Sequence, residues 1–219
     1  YIVETGSADG VILNQTKPDD PRIRYMQDHG FPFATHGRTS MGIDHPYYDF
    51  DNGDFASKAA QVLHRHGRRC LALLGPPHDR HYGLDTFLKA REAAAELDLD
   101  FCEIKGVYSS DALGNLQAAA SAFLARHPNC DGFVCLSDAA ALAVTSALTR
   151  AGKEIGKDVE VIVKGSRLYL GMVHPAIIVI EEDSRRGAAF LSRAVLQAIR
   201  SPEEPPMQEV ELPDFSRYL

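Results

Sequence analysis

The chain has 219 residues, of which 45% are hydrophobic and 24% are charged, and its formal net charge is −7 at pH 7. This length and composition are those of an ordinary soluble protein with room for one large domain or two small lobes. No run approaches the roughly 18 apolar residues needed to cross a bilayer. The acidic balance argues against a surface that holds nucleic acid by itself, because phosphate binding requires clustered Lys and Arg.

Short apolar runs alternate with amphipathic stretches, which predicts strands alternating with helices. In chain order the predicted strands are 10–13, 32–35, 71–74, 101–107, 132–136, 159–163, 176–180 and 208–212. The predicted helices run from the turn at 17–21 to about residue 30, then over 55–66, 83–97, 113–126, 138–150 and 184–200. Residues 48–52 are predicted to cross between lobes, and 164–175 to be irregular. This order indicates an α/β fold with parallel sheets and right-handed crossovers.

Cysteine and histidine patterns favour neither a disulfide framework nor a metal site. The four cysteines, Cys70, Cys102, Cys130 and Cys135, form no C-x-x-C, so we expect buried free thiols in a reducing compartment. The pairs His64-x-His66 and His78-Asp79-x-His81 lack a structural-zinc spacing with cysteines. We therefore expect no metal and no cofactor. The first residues, YIVETGSADG, also lack the layout of a signal peptide, which favours a cytoplasmic location.

The most informative segment is residues 130–163. Its pattern predicts a strand, a polar turn, a helix that ends at a glycine, and a second strand. A short apolar run precedes Ser137 and Asp138, whose side chains suit the cap of the next helix. Arg150 and then Gly152 mark the end of that helix. In open parallel sheets, ligands bind beyond the carboxyl ends of the strands, so this turn is a candidate ligand-binding tip.

This segment resembles the effector-binding core of the LacI/GalR family of bacterial transcription regulators. Further blocks match in the family's order, namely ADGVIL (8–13), FDN (50–52), HGRRCLALLGPP (66–77) and the R-x-x-G of Arg80 to Gly83. The resemblance covers nearly the whole chain. It implies two Rossmann-like lobes of the type I periplasmic-binding-protein-like fold, joined by three crossing strands.

Lobe boundaries follow from the same resemblance. Residues 1–49 and 182–204 are assigned to the N-terminal lobe, and residues 50–181 and 205–219 to the C-terminal lobe. The first lobe is expected to be incomplete, because the family's opening strand, helix and second strand have no counterpart here. The family's helix-turn-helix domain has none either.

The resemblance also implies a sugar site drawn from both lobes. Asn14 matches a ligand-binding asparagine, Arg80 an arginine that grips paired oxygens, and Tyr108 an aromatic residue that stacks on a sugar ring. Ser137 and Asp138 match the family's Asn-Asp pair. For each residue a structural alternative stays open: a turn for Asn14, a surface ion pair for Arg80, a core or rim position for Tyr108, and a helix cap for Asp138.

Two departures from the family pattern bear on the ligand. Gly37 and Gly165 stand where the family has carboxylates, beside the basic side chains of His36, Arg38 and Lys164. Loss of two acids favours a larger ligand, or one with its own negative charge. His36, Arg38 and Lys164 therefore join the candidate ligand-binding residues, with an oligosaccharide ranked before a sugar phosphate or sugar acid.

The chain is accordingly predicted to be the sugar-sensing core of a homodimeric regulator that binds operator DNA through a helix-turn-helix not present here. An effector in the cleft between the lobes would act by shifting the population of open and closed forms. The alternative is a sugar-binding receptor of a transport system, which shares the fold. No G-x-S-x-G, P-loop or G-x-G-x-x-G follows a strand, so an enzyme is not expected.

Overall fold

Strands and helices alternate along residues 1–219, all of which the computed structural model describes, except that no helix separates the second strand from the third. The helices are α1 (Ile2–Thr5), α2 (Pro21–Asp28), α3 (Asn52–Arg65), α4 (His81–Glu96), α5 (Leu113–Arg126), α6 (Asp138–Arg150), α7 (Arg167–Val173) and α8 (Ser184–Arg200). The strands are β1 (Val11–Leu13), β2 (Phe33–His36), β3 (Tyr47–Phe50), β4 (Cys70–Leu74), β5 (Asp100–Glu103), β6 (Gly132–Cys135), β7 (Glu160–Lys164), β8 (Ile178–Ile180) and β9 (Gln208–Glu211). Every strand pair is parallel, which confirms the predicted α/β class.

The chain forms two compact units. The first contains Tyr1–Asp51, Asp79–Tyr82 and Asp183–Glu211, and the second contains Asn52–His78, Gly83–Glu182 and Leu212–Leu219. Apart from shifts of one or two residues, the boundaries predicted from the sequence differ from these in two places, because residues 79–82 and residues 205–211 were assigned to the second lobe. Strand β9 instead pairs with β3 over four residues in the sheet of the first unit.

The first unit is built on a four-stranded sheet in the order β1-β2-β3-β9. Helix α8 packs against this sheet, with Phe190, Leu191 and Ala194 buried beside Ala34 and Tyr48. The close approach of α8 depends on Gly187, since a Cβ there would lie 2.9 Å from the Tyr48 ring. Residues 48–52, which were predicted to cross between lobes, overlap strand β3 of this sheet.

The second unit contains a five-stranded sheet in the order β5-β4-β6-β7-β8. The four residues of β6 are buried, as expected of a central parallel strand covered on both faces. Phe133 and Cys135 belong to the core shared with α5 and α6, whereas Gly132 meets Leu63 of α3. These opposite contacts follow from the two-residue period of a strand. The apolar runs of the sequence therefore correspond to a two-sided core.

Two features of the second unit differ from the sequence predictions. Residues 164–175 were predicted to be irregular, but they contain helix α7, which is anchored by the fully buried Leu170. Cys70 and Cys130 were predicted to be free thiols, but they form a disulfide with a Cα–Cα distance of 5.2 Å. They begin or precede the neighbouring strands β4 and β6, a proximity that a separation of 60 residues does not reveal.

The other two cysteines are free, and Cys135 is buried. Burial raises the pKa of the Cys135 thiol to about 12, so this group stays protonated and unreactive near neutral pH.

None of the helices combines the length and hydrophobicity that a bilayer span requires.

Candidate functional site

The candidate ligand-binding residues lie at or just beyond the carboxyl ends of strands, or in the short segment 79–82. Asn14, His36, Arg38 and Arg80 belong to the first unit. Tyr108, Ser137, Asp138 and Lys164 belong to the second unit. In each unit the parallel pairing of neighbouring strands brings the polar groups to one edge of the sheet.

Asn14 follows β1 and offers an open amide. Its side chain is exposed and has no hydrogen-bond partner, while its backbone oxygen accepts a hydrogen bond from Nη2 of Arg22 at 3.1 Å. The next residue, Gln15, adopts the left-handed conformation with φ of 51°. The amide of Asn14 can therefore donate to and accept from a pair of hydroxyl groups.

Arg38 forms ion pairs with two carboxylates of its own unit. Its Nε lies 2.6 Å from Oδ2 of Asp49, and its Nη2 lies 3.6 Å from Oδ2 of Asp51. Burial raises the pKa of Asp49, and the nearby Arg38 opposes that rise. The guanidinium therefore balances two acids, and a ligand anion would have to compete with them.

Asp49 and Asp51 were missed by the sequence analysis as partners of Arg38. Both lie at or next to the end of β3 in the motif YDFDN, and β3 pairs with β2, which leads into Arg38. Their two-residue spacing places both side chains on one face of the strand, which is the signal that was available in the sequence.

Gly37 does not open a pocket in the way the sequence analysis expected. Its φ of 111° is a conformation that favours glycine, and a Cβ there would lie 2.6 Å from Oγ1 of Thr16. That hydroxyl donates to the backbone oxygen of Arg38 at 2.8 Å. The space that a side chain at this position would occupy is thus filled by Thr16. His36, one residue earlier, is exposed with its ring centroid 6.3 Å from that of Tyr48.

Arg80 is held loosely. Its Nη1 lies 3.7 Å from Oδ2 of Asp79, which is also 3.8 Å from Nζ of Lys17. The Arg80 side chain is 28% exposed and the Asp79 side chain 57%, and a pair that is this long and partly exposed contributes little stability, so the guanidinium can change partner at small cost. The segment itself is fixed by the backbone, because the N–H of His81 donates to the oxygen of Thr16 at 2.8 Å.

In the second unit, Ser137 rather than Asp138 caps α6. Oγ of Ser137 accepts from the N–H of Ala140 at 3.1 Å and donates to the oxygen of Ser109 at 2.6 Å. Asp138 is the first residue of the helix, and its Oδ1 accepts from the N–H of Ser166 at 2.8 Å. The expected capping role of Asp138 is therefore wrong, and its carboxylate instead joins two strand ends.

Asp138 also accounts for the glycine at position 165. A Cβ at Gly165 would collide with Oδ1 of Asp138, so the carboxylate occupies the space that a side chain at position 165 would need. Lys164 lies next to this point, with its Nζ 3.0 Å from Oε2 of Glu182. Both members of this pair are mostly buried, so removal of either one would leave the other charge buried without this partner.

Tyr108 is 45% exposed and precedes a turn in which its N–H donates to Oδ2 of Asp111 at 3.0 Å. Its ring is not in the core, so the rim alternative describes it better than the core alternative. An exposed ring held by a fixed turn is suited to stacking on an apolar face of a sugar.

The strand ends of both units carry hydrogen-bonding groups. The hydroxyl of Ser137 caps α6 and donates a hydrogen bond to a backbone oxygen. No three or more His, Cys, Asp or Glu side chains lie together in a way that could hold a metal ion. The chemistry these edges support is recognition of oxygen-rich molecules.

Comparison with known proteins identifies the family of the chain. Residues 60–216 match the model of the periplasmic binding protein-like domain. The HTH-type transcriptional regulator AglR of Rhizobium meliloti (strain 1021) is 26% identical over 217 residues, which cover 95% of this chain and 60% of that regulator. The ribose operon repressor of Bacillus subtilis (strain 168) is 26% identical over 192 residues, covering 86% of this chain and 56% of the repressor.

The chain therefore spans less than two thirds of the length of these two regulators. Among solved structures, the complex of the transcriptional regulator CelR with cellobiose has the same fold, with a TM-score of 0.78 at 24% identity. That likeness covers 94% of this chain and 64% of the CelR chain. The chain belongs to the periplasmic binding protein-like domain family and fits the effector-binding core of LacI-type transcriptional regulators.

Proposed function

We propose that the chain is the effector-binding core of a LacI-type DNA-binding transcriptional regulator that senses a sugar, and that it works in the cytoplasm. The observation that carries the proposal is the family match over residues 60–216, whose fold sets polar groups at the carboxyl edges of both sheets. The names of the relatives support it, since AglR is an HTH-type regulator and the Bacillus protein is a ribose operon repressor. DNA binding is proposed to reside in a helix-turn-helix outside these 219 residues.

The charges at the sheet edges favour a neutral sugar over a sugar phosphate or sugar acid. Arg38 faces Asp49 and Asp51, and Lys164 faces Glu182, so two of the three basic groups that favoured an anion are already balanced. Gly37 and Gly165 leave no vacant volume, because Thr16 and Asp138 fill it. The two glycines therefore do not indicate a larger ligand, and an oligosaccharide is proposed because CelR was solved with cellobiose.

Asn14, Arg80 and Tyr108 are proposed as the principal ligand contacts. Asn14 has an unpartnered amide, Arg80 a loosely paired guanidinium, and Tyr108 an exposed ring. His36 is proposed to take part as an exposed ring at the end of β2. Arg38, Ser137, Asp138 and Lys164 are proposed to position backbone and charge at the two edges, with any ligand contact secondary.

Screening neutral sugars by thermal shift tests the sugar proposal directly. Cellobiose and ribose are the first probes, each compared with a phosphorylated and a carboxylated sugar. A ligand present at about 100 times its Kd stabilises the folded state by about 2.7 kcal/mol, a clear rise in melting temperature. Stabilisation by charged sugars alone would contradict the neutral-sugar proposal, and no response to any sugar would contradict the sensing role.

Replacement of Arg80 by alanine is expected to weaken sugar binding at least about tenfold, because a planar fork of donors to paired hydroxyls is lost. The melting temperature without ligand should stay close to that of the wild type, since the Arg80–Asp79 pair is long and partly exposed. Isothermal titration with the best sugar measures the loss. Arg91→Ala, on the exposed surface of α4, is the matched control and should bind as the wild type does.

Homodimerisation is proposed through helix α7. Leu168 and Met172 form one i, i+4 row and Tyr169 and Val173 the next, and their exposed fractions are 68%, 81%, 65% and 52%. Four large apolar side chains on two turns form a patch of the kind that protein interfaces cover. A second copy of the chain is the proposed occupant, because a two-fold interface brings the same patch of each copy together.

The change Met172→Asp is expected to convert a dimer into a monomer, because the contact would bury an unpaired carboxylate from each copy. Size-exclusion chromatography with light scattering reports the mass, which for the wild type should be twice the 24.0 kDa of one chain. Leu88→Asp, an exposed leucine on α4, is the control and should leave the dimer intact. A wild-type protein that runs as a single chain at every concentration would contradict the proposal.

A further inference from the structure

A cavity of about 240 Å³ lies within the first unit, at the amino ends of β2 and β3. It is at the edge of the sheet opposite to Asn14 and His36, which follow or end their strands. We call it the amino-edge cavity. Its walls come from the end of α2, the starts of β2 and β3, the end of α8 and the loop after α8. The proposed sugar contacts do not include any of its lining residues.

Most of the wall is apolar and stiff. Phe31 and Phe33 contribute aromatic rings, Met26 and Ala198 contribute aliphatic surface, and prolines stand at positions 32, 46, 202 and 206. Since a proline ring fixes its own backbone angle, four of them limit the ways in which the cavity can collapse. The volume equals that of about eight water molecules in the liquid, so it suits a compact body rather than an oligosaccharide.

The polar part of the wall is acidic. Asp44 and Glu204 line the cavity, and no Lys or Arg does. Oδ1 of Asp44 accepts from Nε2 of Gln208 at 2.6 Å, and Oε2 of Glu204 accepts from Nε2 of Gln197 at 2.8 Å. Oδ2 of Asp44 and Oε1 of Glu204 stay available to a donor. Two carboxylates beside aromatic rings are a setting that attracts a cation.

His45, the remaining titratable group in the wall, does not oppose this field. It is 4% exposed, and its ring stacks on Phe33 with centroids 5.6 Å apart. Its Nε2 lies 3.0 Å from Oγ1 of Thr35, and its Nδ1 lies 3.0 Å from the oxygen of Ile43. Burial lowers the pKa of His45, so the ring is neutral near pH 7 and the cavity keeps its negative character.

We propose that the amino-edge cavity is a second ligand site, which binds a compact organic cation of about eight to ten non-hydrogen atoms, made of an ammonium group on an apolar body. The apolar body lies against Phe31, Phe33 and the prolines, and the ammonium group donates to the free oxygens of Asp44 and Glu204. The site is separate from the proposed sugar contacts and does not depend on them.

Titration of the 219-residue protein with benzylamine tests the proposal. Binding is monitored by ¹⁵N-edited NMR of the backbone amides. Saturable shift changes are expected at Gly30, Phe31 and Ser201, which line the cavity. Benzyl alcohol, which has a similar shape without the charge, should bind about tenfold more weakly, and benzoate should not bind. Higher ionic strength should weaken benzylamine binding because the carboxylates are at an exposed rim.

Variants separate the two halves of the site. Asp44→Asn and Glu204→Gln should each weaken benzylamine binding about threefold, as expected for charges near the surface. The control is Glu203→Gln, because Glu203 is an exposed neighbour that does not line the cavity, and this change should have no effect on binding. Ala198→Leu should abolish binding by filling the cavity, and Asn14→Ala should leave it unchanged. Equal affinity for amine and alcohol, or binding that survives Ala198→Leu in a folded protein, would overturn the proposal.

Discussion

Gly132→Ala is expected to destabilise the second unit by about 3 kcal/mol, at the upper end of the usual cost of overpacking. A Cβ at this position would collide with the backbone oxygen of Cys70, and it would lie 2.9 Å from both δ-carbons of Leu63. The oxygen cannot withdraw, because β4 and β6 are paired through Ala72↔Phe133 and the two following residue pairs. Strand β6 is also held by β7 on its other side, so neither partner can move without breaking ladder hydrogen bonds.

Urea denaturation followed by circular dichroism measures this loss. Gly114→Ala makes the same chemical change in α5, where a Cβ meets nothing within 4 Å. That control should gain about 0.5 kcal/mol, because glycine in a helix costs conformational entropy relative to alanine. If Gly132→Ala matched the control in sign, the tight contact between β4 and β6 would not exist in solution.

Asp20→Ala is expected to cost the first unit about 2 kcal/mol, since it removes a helix cap and leaves the N–H groups of Lys17 and Arg22 without their acceptor. Asp20 is 0% exposed and is the N-cap of α2. Its carboxylate accepts from the N–H groups of Lys17 and Arg22, and also from Nε and Nη2 of Arg22 at 3.0 and 2.7 Å. The same guanidinium reaches the backbone oxygen of Asn14, so the change also loosens the loop that presents a proposed sugar contact.

The Asp20 network makes stability depend on pH in a defined direction. Burial by itself raises the pKa of this carboxyl, but the hydrogen bond from Arg22 and the two backbone donors outweigh it, so the pKa is lowered. A lowered pKa in the folded state means that the stabilisation is complete above the unfolded pKa of about 3.9. It is lost as pH falls through the folded pKa.

Denaturation of the wild type and of Asp20→Ala at pH 7 and at acidic pH tests this sign. The difference between the two proteins should shrink as the carboxylate of the wild type is protonated. Asp19→Ala is the matched control, because Asp19 is 80% exposed and pairs only at the surface with Arg24. The control should lose less than about 0.5 kcal/mol at either pH. A difference independent of pH would rule out the ionised network as the source of the stability.

The helix ends and the β6 tip were predictable because they depend on neighbours in sequence. Gly67 and Gly152 follow predicted helices and have φ values of 73° and 70°, the left-handed conformation that glycine adopts at a helix end. Ser137 caps α6 as one of two adjacent candidates. The choice between Ser137 and Asp138 was not available from the sequence, because it depends on Ser166, 28 residues later, as the partner of Asp138.

The role of the candidate site residues was less predictable for the same reason. Arg38 finds Asp49 only because β2 and β3 are parallel neighbours in a particular register, with Thr35 opposite Tyr47. In the sequence, Arg38 and Lys164 are simply basic residues near glycines, which suit a larger ligand or one that carries its own negative charge. In the structure each of them is paired with a carboxylate, and this pairing is the basis for proposing a neutral sugar.

By itself, the sequence determined the α/β class, the alternation of elements and the polar character of the strand ends, because each rests on periodicity and local capping. Tertiary structure decided which of those polar groups are free. Thr16 fills the space at Gly37, Asp138 fills the space at Gly165, and Cys70 bonds to Cys130. These contacts depend on which strands are neighbours and in what register, and parallel pairing joins segments that are far apart along the chain.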